Sequence, residues 1–132
     1  MLALMEKILL LILDQHTAVR HALALRLKSA EDIEILGTGS IYPGDSALEN
    51  QQSADVAIVG IMDSSDLELG NIINLVRELT ARGTAVLALT SFIDDFSREL
   101  IMDAGASRYL LKNINTPQLI DEIHSVYAEQ QT

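Results

Sequence analysis

Residues 54–66 read ADVAIVGIMDSSD. The apolar run from Val56 to Val59 shows no alternation of polar and apolar positions, so it reads as a strand covered on both faces, not one with a wet side. It stops at Gly60 and opens into a polar, acidic loop. Strands of this kind build parallel sheets flanked by helices, and the carboxyl ends of such strands are where open α/β sheets place their chemistry. Here the residue delivered to that edge is a glycine, which brings no functional group.

Working outward from this strand, the same alternation recurs in both directions. Toward the C-terminus, Ile72, Ile73, Val76 and Leu79 repeat at helical spacing and end at Arg82-Gly83. Ala85–Leu89 is a strand, Asp94–Ala104 a helix stopped by Gly105, and Tyr109–Leu111 a short strand. Thr116-Pro117 then predicts an N-cap and a first-turn proline for a last helix with Leu119, Ile120, Ile123 and Tyr127 on its apolar face. Toward the N-terminus lie a weak helix near Asp45–Gln51 and a strand Ile33–Leu36 closed by Gly37, with Gly37-Thr38-Gly39-Ser40 read as a turn. A helix over Thr17–Ser29 precedes them, with Val19, Ala22, Leu23 and Leu27 inward, and a central strand Ile8–Leu13 ends at Asp14. Five βα repeats predict an α/β fold, a doubly wound parallel (βα)5 sheet of flavodoxin-like strand order 2-1-3-4-5. One domain fills residues 1–132, its core running from Lys7 to Ala128.

Composition narrows the function. A formal charge of −10 repels a phosphate backbone, so direct nucleic-acid binding by this domain is not expected. The absence of cysteine removes disulfides, thiolate nucleophiles and Cys-ligated metals. The apolar start, MLALMEKILLLILD, has an unbroken run only from Ile8 to Leu13, far too short to span a bilayer, and no small-residue cleavage pattern follows it. A cytoplasmic protein without membrane attachment is the expectation.

The predicted topology gathers Asp14 and Gln15, Gly60, Thr90 and Ser91, and Lys112 at one edge of the sheet. The stretches LILDQHTAVRHAL, ADVAIVGIMD, VLALTSF and DAGASRYLLK that carry them resemble, in order and spacing, the signature segments of response-regulator receiver (CheY-like) domains of two-component systems. LDQH and GASRYLLKN look most like the NarL/FixJ type. In that family two adjacent acids after the first strand and an aspartate ending the third hold Mg²⁺, and the latter accepts the phosphoryl group. A hydroxyl after the fourth strand and a lysine after the fifth contact it. The resemblance assigns Asp14 as the first acid, Thr90 as the hydroxyl, Lys112 as the lysine and Tyr109 as the switch aromatic. It fails at two positions, where Gln15 replaces the second acid and Gly60 the phosphoacceptor.

Phosphoryl transfer to a carboxylate needs an oxygen nucleophile, and Gly60 has none. Magnesium takes hard oxygen ligands, and with Asp14 the only family acid retained, neither a metal nor another cofactor is expected. An ion pair or a direct hydrogen bond between Lys112 and Asp14 is the expected substitute for the metal. The reading is therefore a non-enzymatic pseudo-receiver acting through a protein partner, a second copy of itself or an attached transcriptional output domain. Two alternatives stand beside it: a phosphorylatable receiver using Asp63 with Mg²⁺, and a small-ligand-binding domain. Asp66, Asp94 and Asp95 read as loop or helix-start acids. Asp14-Gln15-His16 fits the start of a cobalamin-binding motif, but Val19 stands where its glycine belongs. His16, His21 and His124 read as polar loop or surface residues.

Overall fold

The computed structural model describes residues 6–41, 53–62 and 66–131. Its strands are β1 (Ile8–Leu13), β2 (Ile33–Gly39), β3 (Val56–Ile61), β4 (Ala85–Thr90) and β5 (Arg108–Leu111). The helices among the described residues are α1 (Thr17–Leu27), α2 (Asp66–Ala81), α3 (Asp95–Ala104) and α4 (Thr116–Gln131). All pairings are parallel, in the order β2-β1-β3-β4-β5. The expected helix near Asp45–Gln51 lies outside the described residues.

The two-residue period of a strand divides the core in two. Leu11, Leu13, Ala57, Val59, Ile61, Val86 and Ala88 face Ile72, Leu75, Val76 and Leu79 of α2 and Ile101 of α3. Leu10, Ile12, Val56, Ile58, Leu87 and Leu89 face Leu23 and Leu27 of α1 and Leu119, Ile123 and Val126 of α4. Each fully buried leucine or isoleucine here, such as Leu10, Ile12 or Ile58, contributes about 2–3 kcal/mol by leaving water. The central strands are almost wholly apolar, as burial on both faces requires, with Thr90 at the end of β4 the exception.

Several boundaries differ from the sequence reading. β2 does not close at Gly37: Gly37, Thr38 and Gly39 pair with Leu11, Ile12 and Leu13, so this stretch is strand and not turn. Register shifts between Leu10, which pairs with Ile35, and Leu11, which pairs with Gly37, leaving Leu36 as a bulge. Ladder hydrogen bonds to the central strand outweigh the poor strand propensity of the glycines. β3 likewise runs through Gly60 and Ile61, which pair with Leu89 and Thr90. Ala22 is exposed, and Ala24 packs on the core in its place.

The last helix is capped by Asn115, not Thr116: the Asn115 side chain accepts from Gln118 N at 2.9 Å. Thr116 is the first helical residue, and its hydroxyl accepts from Arg26 Nε at 2.9 Å. Asp94 is the cap of α3, accepting from Ser97 N at 2.9 Å and Ser97 Oγ at 2.6 Å, while Asp95 sits in the first turn. These hydrogen bonds to the charged form hold the Asp94 carboxyl below the ordinary aspartate range. α3 ends at Gly105, whose φ of 123° favours glycine.

Candidate functional site

At the end of β1, the main chain of Asp14 is tied to the sheet by its N–H donating to Gly39 O at 2.9 Å. It is tied to α1 by Arg20 Nη1 donating to Asp14 O at 2.7 Å. The side chain turns inward and is only 1% exposed. Its Oδ1 accepts from His16 N at 2.8 Å, and its Oδ2 lies 3.0 Å from Lys112 Nζ. The Lys112 approach falls outside hydrogen-bonding angles, so the contact is a coulombic one between a fully buried carboxylate and the ammonium of a lysine whose side chain is 18% exposed. His16 Nδ1, at 3.8 Å from Oδ1, is beyond hydrogen-bond range.

Gly60 is the floor of this arrangement. A Cβ at residue 60 would stand 1.8 Å from Asp14 Oδ2 and 2.7 Å from Asp14 Cγ. β1 and β3 are neighbours, with Leu13 opposite Val59, so the two strand ends arrive side by side. The Asp14 carboxylate thus takes the room that any side chain at 60 would need.

Thr90 ends β4 and is buried. Its hydroxyl donates to Phe92 O at 3.0 Å and accepts from Phe92 N at 3.3 Å, so it is engaged with its own loop. Lys112 N donates to Thr90 O at 2.8 Å and fixes the end of β5 beside it. Tyr109 is half-buried, and its hydroxyl accepts from Asp94 N at 3.4 Å. A cavity of about 40 Å³ lies nearby, lined by Ile61, Met62, Thr90, Phe92 and Tyr109 together with Asp94 and Ser97.

The fold therefore brings Asp14, Gly60 and Lys112 into contact and sets Thr90 on the adjoining strand end. Gln15 is half-buried next to Asp14, and Ser91 is exposed. Asp63 lies outside the described residues. Among the described residues no group of His, Cys, Asp or Glu is arranged to hold a metal ion. His21 is exposed, and His124 Nε2 lies 2.8 Å from Asp32 Oδ2.

One residue escaped the sequence reading. Glu68, in the first turn of α2, is buried, and its Oε2 accepts from Met62 N at 2.9 Å, closing the chain just past β3. An acid at a helix start is an ordinary feature, so nothing in the pattern marks it as reaching back to a strand end. Around the same edge, Met62, Leu67, Phe92, Ile93, Phe96 and Leu111 are exposed; Phe92 is 74% and Phe96 67% accessible.

No protein-family model matches the chain. The transcriptional regulatory protein LiaR of Bacillus subtilis is 31% identical over 115 residues, covering 87% of this chain and 54% of that protein. The response regulator protein VraR of Staphylococcus aureus strain NCTC 8325 is 28% identical over 114 residues, covering 86% of this chain and 53% of that protein. The chain spans about half the length of the curated relatives it matches. Among solved structures, the response regulator ChrA of a heme-sensing two-component system superposes with a TM-score of 0.72 at 28% identity, over 92% of this chain and 57% of that one. The receiver domain of the NarL response regulator of Mycobacterium tuberculosis gives a TM-score of 0.78 over 93% of this chain and 98% of that one, a likeness of fold at 17% identity. The relatives of this chain are thus response regulators, and its sheet has the strand order of the CheY-like receiver fold.

Proposed function

We propose that this receiver domain is a pseudo-receiver, signalling through protein contacts without being phosphorylated. One observation carries the reading: the end of β3 offers Gly60, and the Asp14 carboxylate already lies where an acceptor side chain would start. Asp14 is also committed to Lys112, the cation that would otherwise steady a phosphoryl group. The residues present do not fit a magnesium site, since the neutral amide of Gln15 and the backbone of Gly60 leave one paired carboxylate.

Protein contact is supported by the exposed aromatic and aliphatic side chains at the same edge, Phe92, Ile93 and Phe96 beside Met62. Two of the relatives are named as regulators of transcription or of response, and each is about twice as long as the matched stretch. An output domain, attached or separate, is the partner this favours. No helix among the described residues is long and apolar enough to cross a membrane, and cytoplasmic signalling is the setting we assign.

The test is incubation with acetyl phosphate and Mg²⁺ followed by intact-mass measurement. The expected spectrum is that of the unmodified chain. A hydroxylamine-labile phosphoryl adduct, on Asp63 or any other acid, would reject the pseudo-receiver.

A further inference from the structure

The Asp14 carboxylate is held as a bound anion is held. One oxygen takes the His16 N–H at 2.8 Å, and the other faces the Lys112 ammonium at 3.0 Å. The glycine below leaves the space for both, since a Cβ there would come within 1.8 Å of Oδ2. One main-chain donor, a facing ammonium charge and a floor free of side chain are the parts of a small oxyanion site. At 1% exposure, the carboxylate is as sequestered as an enclosed ligand.

We propose that Asp14 supplies a tethered, intramolecular anion to a small-oxyanion site built from Gly60, the His16 N–H and Lys112, and that this site accepts a free carboxylate of formate size when the Asp14 side chain is removed or withdrawn. The idea rests on the pseudo-receiver reading and deepens it by naming what occupies the place of the missing acceptor side chain. Tethering would close the site to outside anions: a side chain anchored on the residue that follows β1 competes at an effective concentration on the order of millimolar or higher. Lys112, mostly out of water, needs an anion beside it, because removing one partner of a buried pair leaves the other uncompensated. The turn from Asp14 to His16 is then the control point. A partner that draws it outward exchanges the internal anion for an external one.

The experiment is chemical rescue of Asp14→Ala, read by thermal unfolding. The variant is expected to melt about 10 °C or more below the wild type. Sodium formate should restore most of that loss with saturation, while sodium chloride at matched ionic strength should not. The wild type should not respond, and Lys112→Met in the Asp14→Ala background should abolish the formate effect. Equal action of formate and chloride, or an equal response of the wild type, overturns the proposal. Should Asp14→Ala fail to fold, Asp14→Asn keeps the shape without the charge. Acetylation of Lys112, followed by peptide mass, should then run several-fold faster than in the wild type, and an unchanged rate overturns the proposal equally. A phosphoryl adduct on the wild type defeats the pseudo-receiver reading alone; a missing formate response defeats only the tethered anion.

Discussion

Gly60 shows how little of a site a single residue type can reveal. The sequence exposes the missing oxygen nucleophile, since a glycine has none. It does not expose the reason a glycine is required. That reason lies in the Asp14 side chain, and it becomes visible only when β1 and β3 lie in register with Leu13 opposite Val59. Gly60→Ala should therefore destabilise the domain by about 2–4 kcal/mol in urea unfolding, because the new carbon overlaps a buried carboxylate that is already committed to Lys112. An unchanged midpoint would mean that Asp14 leaves the cleft at little cost. Gly60→Asp meets the same obstruction, so restoring an acid at this position alone should not restore phosphorylation by acetyl phosphate, as intact mass would report.

Elements were legible where periodicity and punctuation agree. The apolar runs of β1, β3 and β4 and the Gly105 stop of α3 match the sequence reading to within two residues. Misreadings gather where main-chain pairing decides, as at Gly37–Gly39, or where a cap lies one residue from its textual signal, as at Asn115. The α3 start offers a clean test. Asp94→Ala removes the acceptor for both Ser97 donors and should lower the midpoint of chemical denaturation at neutral pH. Its folded-state pKa is depressed, chiefly by the Ser97 side chain, so its stabilisation is present above the unfolded aspartate value and disappears as pH falls through the lower, folded one. The difference between wild type and Asp94→Ala should accordingly vanish toward strongly acid pH. At the other end, Gly105→Ala would combine a φ of 123° with a contact at 2.6 Å from Thr80 Oγ1. A loss of at least about 1 kcal/mol is expected, measured in the same way.

For the molecule as a whole, strand order and three-layer helix–sheet–helix packing followed from the alternation of apolar runs and helical stripes, because parallel sheets covered on both faces admit few topologies. The distribution of exposed apolar side chains did not follow, since exposure depends on which neighbours arrive. Phe92→Ser together with Phe96→Ser should leave the urea midpoint within about 0.5 kcal/mol of the wild type. If the edge docks a protein, the pair should at the same time abolish co-purification of that partner. Retained binding with both phenylalanines gone would move the docking face elsewhere.

The Leu36 bulge carries a consequence for how copies of this chain can meet. β2 is the outermost strand on its side, and a straight border strand is an open template for further strands. The extra residue kinks that border and throws the peptide groups on either side out of step. Continuous sheets zipped across two molecules are thereby discouraged at this margin, though not at the opposite border formed by β5.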